Sequence, residues 1–89
     1  MEETMVLFDK EMTNSIKKHG EWDDYSVKRM FDAIELENKE VLKAFFKWDN
    51  SSSHRLSVEL LQVAVCCIKM SNQIRRRYER SDGMANIQG

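Results

Sequence analysis

Apolar residues recur every three or four positions along most of the chain, which is the spacing of amphipathic helices. The apolar residues of the first segment share one helix face: Met5, Phe8, Met12 and Ile16. His19 and Gly20 end this pattern, and glycine is common just beyond the end of a helix. The pattern therefore predicts a first helix over residues 3–19.

The second helix is predicted to follow a polar connector, residues 21–26, in which Asp24 or Ser26 can cap its first turn. Its apolar face consists of Val27, Met30, Phe31, Ile34, Val41, Ala44, Phe45 and Trp48. One turn of that face is missing, because Glu37 and Asn38 stand where apolar residues are expected. Residues 49–53 then form a polar turn whose side chains compete for backbone hydrogen bonds. The pattern thus places a carboxylate, Glu37, on the core side of the second helix.

The third helix is predicted after this turn, with Ser52, Ser53 or Ser57 as its cap. Its apolar residues are Leu56, Leu60, Val63, Ala64, Cys67, Met70, Ile74 and Tyr78, and Leu61, Val65 and Ile68 widen the stripe. So wide a stripe predicts burial on more than one side, and only two other helices are present to cover it. We therefore expect a second subunit to cover part of this helix, in a dimer or a tetramer.

Composition supports an all-α fold, since proline is absent and only three glycines occur among 89 residues. We expect a three-helix protomer over residues 1–80, with an antiparallel hairpin of the second and third helices, and a flexible tail over 81–89. A core this small is marginal by itself, which also favours a homo-oligomer.

Charge and targeting signals narrow the class of protein further. Fourteen Lys and Arg balance fifteen Asp and Glu, so the whole chain has no electrostatic attraction for nucleic acid. The basic run over residues 75–80 suits the last turn of a helix, with nucleic-acid binding as the less favoured alternative. No apolar run reaches membrane-spanning length and the N-terminus is acidic, which predicts a cytoplasmic protein without a membrane partner. Cys66 and Cys67 are expected to be reduced core thiols.

Four side chains on the second and third helices form a candidate metal site. Glu37 and Glu40 are three residues apart, as are Glu59 and Gln62, and an antiparallel hairpin brings the two pairs to similar heights. Carboxylate and amide oxygens suit Mg²⁺ or Mn²⁺. The alternative is a solvated helix surface, on which Lys43 pairs with Glu40.

Three segments carry a resemblance to a known family: Lys18-His19-Gly20 with Trp22-Asp23, residues 34–44 (IELENKEVLKA) and residues 59–65 (ELLQVAV). Together they resemble the MazG-like, all-α nucleoside triphosphate pyrophosphohydrolases over about residues 15–74. That family's signature is Glu-Glu-x-x-Glu on one helix and Glu-x-x-Asp on the next, which hold Mg²⁺. Glu37, Glu40 and Glu59 match it, whereas Leu36 and Gln62 replace a glutamate and the aspartate.

The resemblance implies Mg²⁺-dependent cleavage of a ribo- or deoxynucleoside triphosphate to a monophosphate and pyrophosphate. Glu37, Glu40 and Glu59 would be its catalytic metal ligands, with Gln62 offering an amide oxygen. Lys18, His19 and Trp22 are candidate substrate-binding residues, although His19 can simply end a helix and Trp22 can pack the connector.

A second function stays open, because Leu36 and Gln62 depart from the signature, and residues 59–64 (ELLQVA) resemble short bacterial and phage members of the group. The chain would then be a catalytically degenerate MazG-like protein that binds a protein partner in a regulatory role.

Overall fold

The computed structural model describes residues 2–83, which form three long helices: α1 (Glu2–His19), α2 (Val27–Phe46) and α3 (Ser53–Ile74). A short 3₁₀ turn, Asn50–Ser52, precedes α3, and a π-helical segment, Arg75–Gly83, continues it. No strand occurs in this part of the chain, which confirms the all-α prediction. Within residues 2–83, no helix combines the length and apolar character of a membrane span. Helical backbone extends into the predicted tail as far as Gly83, and the rest of that tail, 84–89, lies outside the described residues.

Side-chain caps fix where the helices begin. Ser26 caps α2, because its Oγ accepts a hydrogen bond from the backbone N–H of Arg29 at 3.1 Å. Before α3 the cap is Asp49, whose carboxylate accepts from the backbone N–H groups of Ser51 and Ser52. Ser52, one of the three predicted serines, occupies the N-cap position of α3, but its side chain makes no capping hydrogen bond there. Asp49 satisfies these N–H groups one turn earlier.

The helix α3 lies between the other two, since α1 and α2 each contact α3 but not one another within the described residues. The predicted antiparallel hairpin of α2 and α3 is present, and a hydrogen bond from Trp48 Nε1 to Ser53 Oγ at 2.9 Å closes its turn. The core centres on three buried residues from the connector, α2 and α3: Trp22, Met30 and Cys66.

The buried face of α3 differs from the predicted apolar stripe. Its buried residues are Val65, Cys66, Lys69 and Gln73. Leu60 and Tyr78, both members of the predicted stripe, are 52% and 57% exposed. The physical reason is that the side chains of Lys69 and Gln73 supply polar partners to α1 and to the connector, so polar residues face inward. The prediction of two core cysteines was also wrong for Cys67, which is exposed, whereas Cys66 is buried.

Candidate functional site

A cleft of about 400 Å³ opens between the three helices on the side of α1. Five of the seven predicted site residues line it: Lys18, His19, Trp22, Glu37 and Gln62. The remaining two predicted residues, Glu40 and Glu59, do not line the cleft. The cleft therefore combines a lysine and a histidine at the end of α1 with a carboxylate of α2 and an amide of α3.

Glu37 is a half-buried carboxylate of this cleft. It lies seven residues from buried Met30 and seven from buried Ala44, so it occupies the buried face of α2. Burial raises the pKa of Glu37, and repulsion from Glu59 and then Glu40 raises it further, while His19 acts in the opposite direction. Glu59 and Glu40 thus both act electrostatically on Glu37, which experiences a net negative potential.

The side chains of these residues have the chemistry that a divalent cation requires, but they are not arranged to bind one. Three carboxylates and one amide offer the oxygen ligands that Mg²⁺ prefers. Among residues 2–83, however, no three His, Cys, Asp or Glu side chains are arranged to hold an ion. Glu40 is exposed and forms an ion pair with Lys43 at 3.4 Å, the contact expected for a solvated surface. A cation would require the exposed side chain of Glu40 to turn toward Glu37.

Gln62 has a partner that the sequence did not indicate. Its Nε2 donates a hydrogen bond to Glu11 Oε2 on α1 at 3.4 Å. Glu11 and Gln62 both line the cleft. Because the amide N–H₂ is directed at Glu11, the amide oxygen is free of that contact and can accept from, or ligate, another group.

Trp22 is a core residue of the connector, with only 4% of its surface exposed. Its ring stacks on Tyr25 at a centroid distance of 5.3 Å, and Lys69 Nζ lies 4.4 Å from its ring centroid. Its backbone has φ of +68°, a left-handed conformation that costs energy for a residue with a side chain. Trp22 therefore packs the connector, which was the alternative to a substrate-binding role. Contact between Trp22 and a nucleobase stays a prediction.

Two residues of α3 and its extension hold the connector in this strained conformation. Gln73 Nε2 donates to the backbone carbonyl of Glu21 at 2.9 Å and to Asp23 Oδ1 at 2.8 Å. Arg77 Nη2 donates to the carbonyl of Trp22 at 3.1 Å, and Arg77 Nε donates to Gln73 Oε1 at 3.1 Å. The neighbouring Arg76 lies within 3.7 Å of the carboxylates of Glu21 and Asp23. This part of the basic run is therefore engaged within the chain.

Sequence reasoning missed this polar face, although the signal was present. Gln62, Lys69, Gln73 and Arg77 recur at intervals of seven, four and four residues, which places them on one side of α3. Burial lowers the pKa of Lys69, whose Nζ donates to Ser15 Oγ on α1 at 2.9 Å. A row of polar residues at helical spacing on an apolar helix indicates a polar contact with neighbouring elements.

Cys66 also lines the cleft, but as an unreactive thiol. Burial, and secondarily the charge of Glu37, raise its pKa to about 11. Because the thiolate is the nucleophile, Cys66 is protonated and inert at neutral pH.

Comparisons of the chain with protein-family models, with curated proteins and with solved structures found no match.

Proposed function

We propose that the chain is a MazG-like nucleotide pyrophosphohydrolase, which binds a nucleoside triphosphate together with Mg²⁺ at the cleft and releases pyrophosphate. The observation that carries the proposal is Glu37, a carboxylate kept on the buried face of α2 under repulsion from Glu40 and Glu59. Such an arrangement is unfavourable in the chain alone, and a bound cation would compensate it.

Six of the seven predicted site residues have a role in this proposal. Glu37, Glu40 and Glu59 would hold Mg²⁺, with Gln62 contributing its amide oxygen. When bound, the ion would neutralise phosphate charge and polarise the phosphoryl group. Lys18 and His19, at the C-terminal end of α1, line the same cleft and would meet the phosphates. Lysine binds phosphate as a point charge, and no glycine-rich phosphate loop is needed for this mode of binding.

The test is pyrophosphate release from a panel of ribo- and deoxynucleoside triphosphates with Mg²⁺ or Mn²⁺. The informative variant is Glu37→Gln, which removes the charge and retains the shape. Glu35→Gln is its matched control, because Glu35 is exposed on the opposite side of the same helix. We expect release by the unmodified chain and by Glu35→Gln, and a loss of about 100-fold or more in Glu37→Gln. Release that survives Glu37→Gln, or none from any nucleotide, would reject the proposal.

A regulatory, protein-binding role is the second candidate, and two observations favour it. Gln62 is hydrogen bonded to Glu11 where the resemblance expects an aspartate, and Leu36 is 62% exposed where it expects a glutamate. A degenerate site predicts a melting temperature that does not respond to divalent cations. The same preparations, melted with and without 10 mM Mg²⁺, separate the two candidates.

A further inference from the structure

Lys69 of α3 carries a buried ammonium group that has no acidic partner. Only 3% of its surface is exposed. Among the described residues, no carboxylate oxygen lies within 4.0 Å of its Nζ. Its two close contacts are neutral, since Nζ donates to Ser15 Oγ at 2.9 Å and lies 4.4 Å from the ring centroid of Trp22. Burial of a charge without a counter-ion is unfavourable, so a negatively charged group beside Lys69 would be stabilising.

Two groups act on Lys69 with negative charge, and neither neutralises it at neutral pH. Burial lowers the pKa of Lys69, while the charges of Cys66 and Glu21 act in the opposite direction. Cys66 keeps its proton at neutral pH, because its own pKa is raised to about 11. Glu21 is exposed, and its carboxylate lies 3.7 Å from Arg76. The described part of the chain therefore leaves the charge of Lys69 uncompensated.

The hydroxyl group of Ser15 connects Lys69 to the cleft. Ser15 is half-buried and lines the cleft, whereas Lys69 does not line it. A hydroxyl group has one proton to donate and two lone pairs that accept. Because Lys69 Nζ occupies an acceptor position of Ser15 Oγ, the hydroxyl proton points away from the ammonium group and is available to a ligand in the cleft. Lys69 is thus a positioning residue for Ser15, and its charge strengthens a hydrogen bond that Ser15 donates to an anion.

Three other residues of α1 that line the cleft also carry hydrogen-bond donors: Asn14, Lys18 and His19. Lys18 and His19 follow Ser15 by three and four residues, the spacing of neighbours on one helix surface. Ammonium and amide N–H groups donate, and a histidine ring donates from at least one nitrogen. We call these four residues of α1, with Lys69 behind Ser15, the basic end of the cleft.

The basic end lies apart from the acidic residues of the cleft. Glu11 of α1 contacts Gln62 of α3, and Ser15 contacts Lys69, so the two helices run in the same direction. The seven residues between Gln62 and Lys69 correspond to about 10 Å along α3. Opposite charges therefore occupy opposite ends of the cleft, and only the basic end suits an anion.

We infer that the basic end of the cleft binds a tetrahedral oxyanion, such as phosphate, without a metal ion. Donors on several separate side chains suit an anion with three or more strongly accepting oxygens. The oxyanion accepts hydrogen bonds from Ser15 and Lys18, and Lys69 compensates its charge from behind Ser15. A free phosphate ion and the terminal phosphate of a nucleotide share this chemistry. The second of these as natural ligand rests on the proposed function, whereas binding of the free ion does not.

The test is the binding of inorganic phosphate to the full chain in the presence of chelator and at constant ionic strength, measured by broadening of the ³¹P NMR signal. Lys69→Met removes the charge and keeps an unbranched apolar side chain, and Ser15→Ala removes the hydroxyl group. Lys17→Met is the matched control, because Lys17 is exposed beside Lys18 but does not line the cleft. We expect Lys69→Met and Ser15→Ala each to weaken phosphate binding about tenfold or more, and Lys17→Met to leave it unchanged.

Ser15→Thr keeps the hydroxyl group and should retain the phosphate binding that Ser15→Ala loses, which a purely structural role of Ser15 would not produce. This pair of variants decides the question even if Lys69→Met fails to fold. No phosphate binding to the unmodified chain, equal binding by folded Lys69→Met and Lys17→Met, or equal binding by Ser15→Ala and Ser15→Thr would overturn the inference.

This inference and the proposed function fail separately. Phosphate binding in chelator, together with no pyrophosphate release from any nucleotide, would reject the proposed function and support the oxyanion site. Nucleotide hydrolysis by a chain that does not bind phosphate would reject the oxyanion site alone. Glu37→Gln should bind phosphate at least as tightly as the unmodified chain, since it removes a negative charge from the cleft, and a tenfold loss in this variant would contradict a site that needs no metal ion.

Discussion

Replacing Glu37 by glutamine should stabilise the chain in the absence of metal, which is the reverse of the usual effect of substituting a half-buried residue. Each like-charged neighbour one helical turn away costs about 0.2–0.5 kcal/mol. Glu40 is one such neighbour, and Glu59 acts on Glu37 from the facing helix. With the burial of the carboxylate added, relief of the charge is expected to raise the free energy of unfolding by about 1 kcal/mol. For a domain of this size, 1 kcal/mol corresponds to about 4–8 °C in melting temperature.

The gain in the free energy of unfolding of Glu37→Gln should depend on pH, in a direction set by the pKa of Glu37. That pKa is raised in the folded chain, so folding favours the protonated carboxyl. The corresponding stability is fully present below the ordinary glutamate pKa of about 4.3 and is lost as pH rises through the folded pKa. The difference between Glu37→Gln and the unmodified chain should therefore be largest near pH 7 and shrink toward zero below pH 4.

The assay is thermal unfolding by circular dichroism in a metal-free buffer with chelator, from pH 3.5 to 8. Glu35→Gln is the control, and its exposed position predicts a change within about 0.5 kcal/mol at every pH. A Glu37→Gln chain that is less stable at pH 7, or equally shifted at pH 4 and pH 7, would refute the electrostatic reasoning.

The structure makes three further predictions. Ser26→Ala should lower the free energy of unfolding by about 1 kcal/mol in urea titrations, because it removes the side-chain cap of α2. Arg77→Ala should cost about 1.5–3 kcal/mol in the same titrations, since it leaves the carbonyl of the strained connector without its charged donor, while exposed Arg75→Ala should change little. Iodoacetamide at pH 7.5, followed by peptide mass mapping, should leave Cys66 at least tenfold less modified than Cys67 until the chain unfolds, and equal labelling of the two thiols in the folded chain would contradict the burial of Cys66.

The helices were predictable from the sequence because helical periodicity and the absence of proline are local properties. The first helix was predicted over residues 3–19 and spans Glu2–His19. The position of Glu37 on the buried face of α2 also followed from periodicity. In α3 the same reasoning failed, since Leu60 is exposed and Gln73 is buried. Hydrogen-bond partners that are distant in sequence determine which face of α3 is buried. The spacing of apolar residues carries no information about such partners.

The candidate site was predictable only in part, for a similar reason. Lys18 and His19 were identified from the resemblance and Gln62 from its spacing with Glu59, and the fold brings the three to one cleft with Glu37. Glu11 was missed because its contact with Gln62 joins residues 51 positions apart. Glu40 was expected at the same site. Its side chain instead lies on the surface, because it forms an ion pair with Lys43 one turn along the same helix.

Isothermal titration calorimetry with a non-hydrolysable nucleoside triphosphate analogue measures Mg²⁺-dependent nucleotide binding at the cleft independently of turnover. We expect binding that requires Mg²⁺, is abolished by Glu37→Gln and is retained by Glu35→Gln. Binding of equal strength with chelator in place of Mg²⁺, binding that Glu37→Gln leaves unchanged, or no binding of any analogue at millimolar concentration would contradict it.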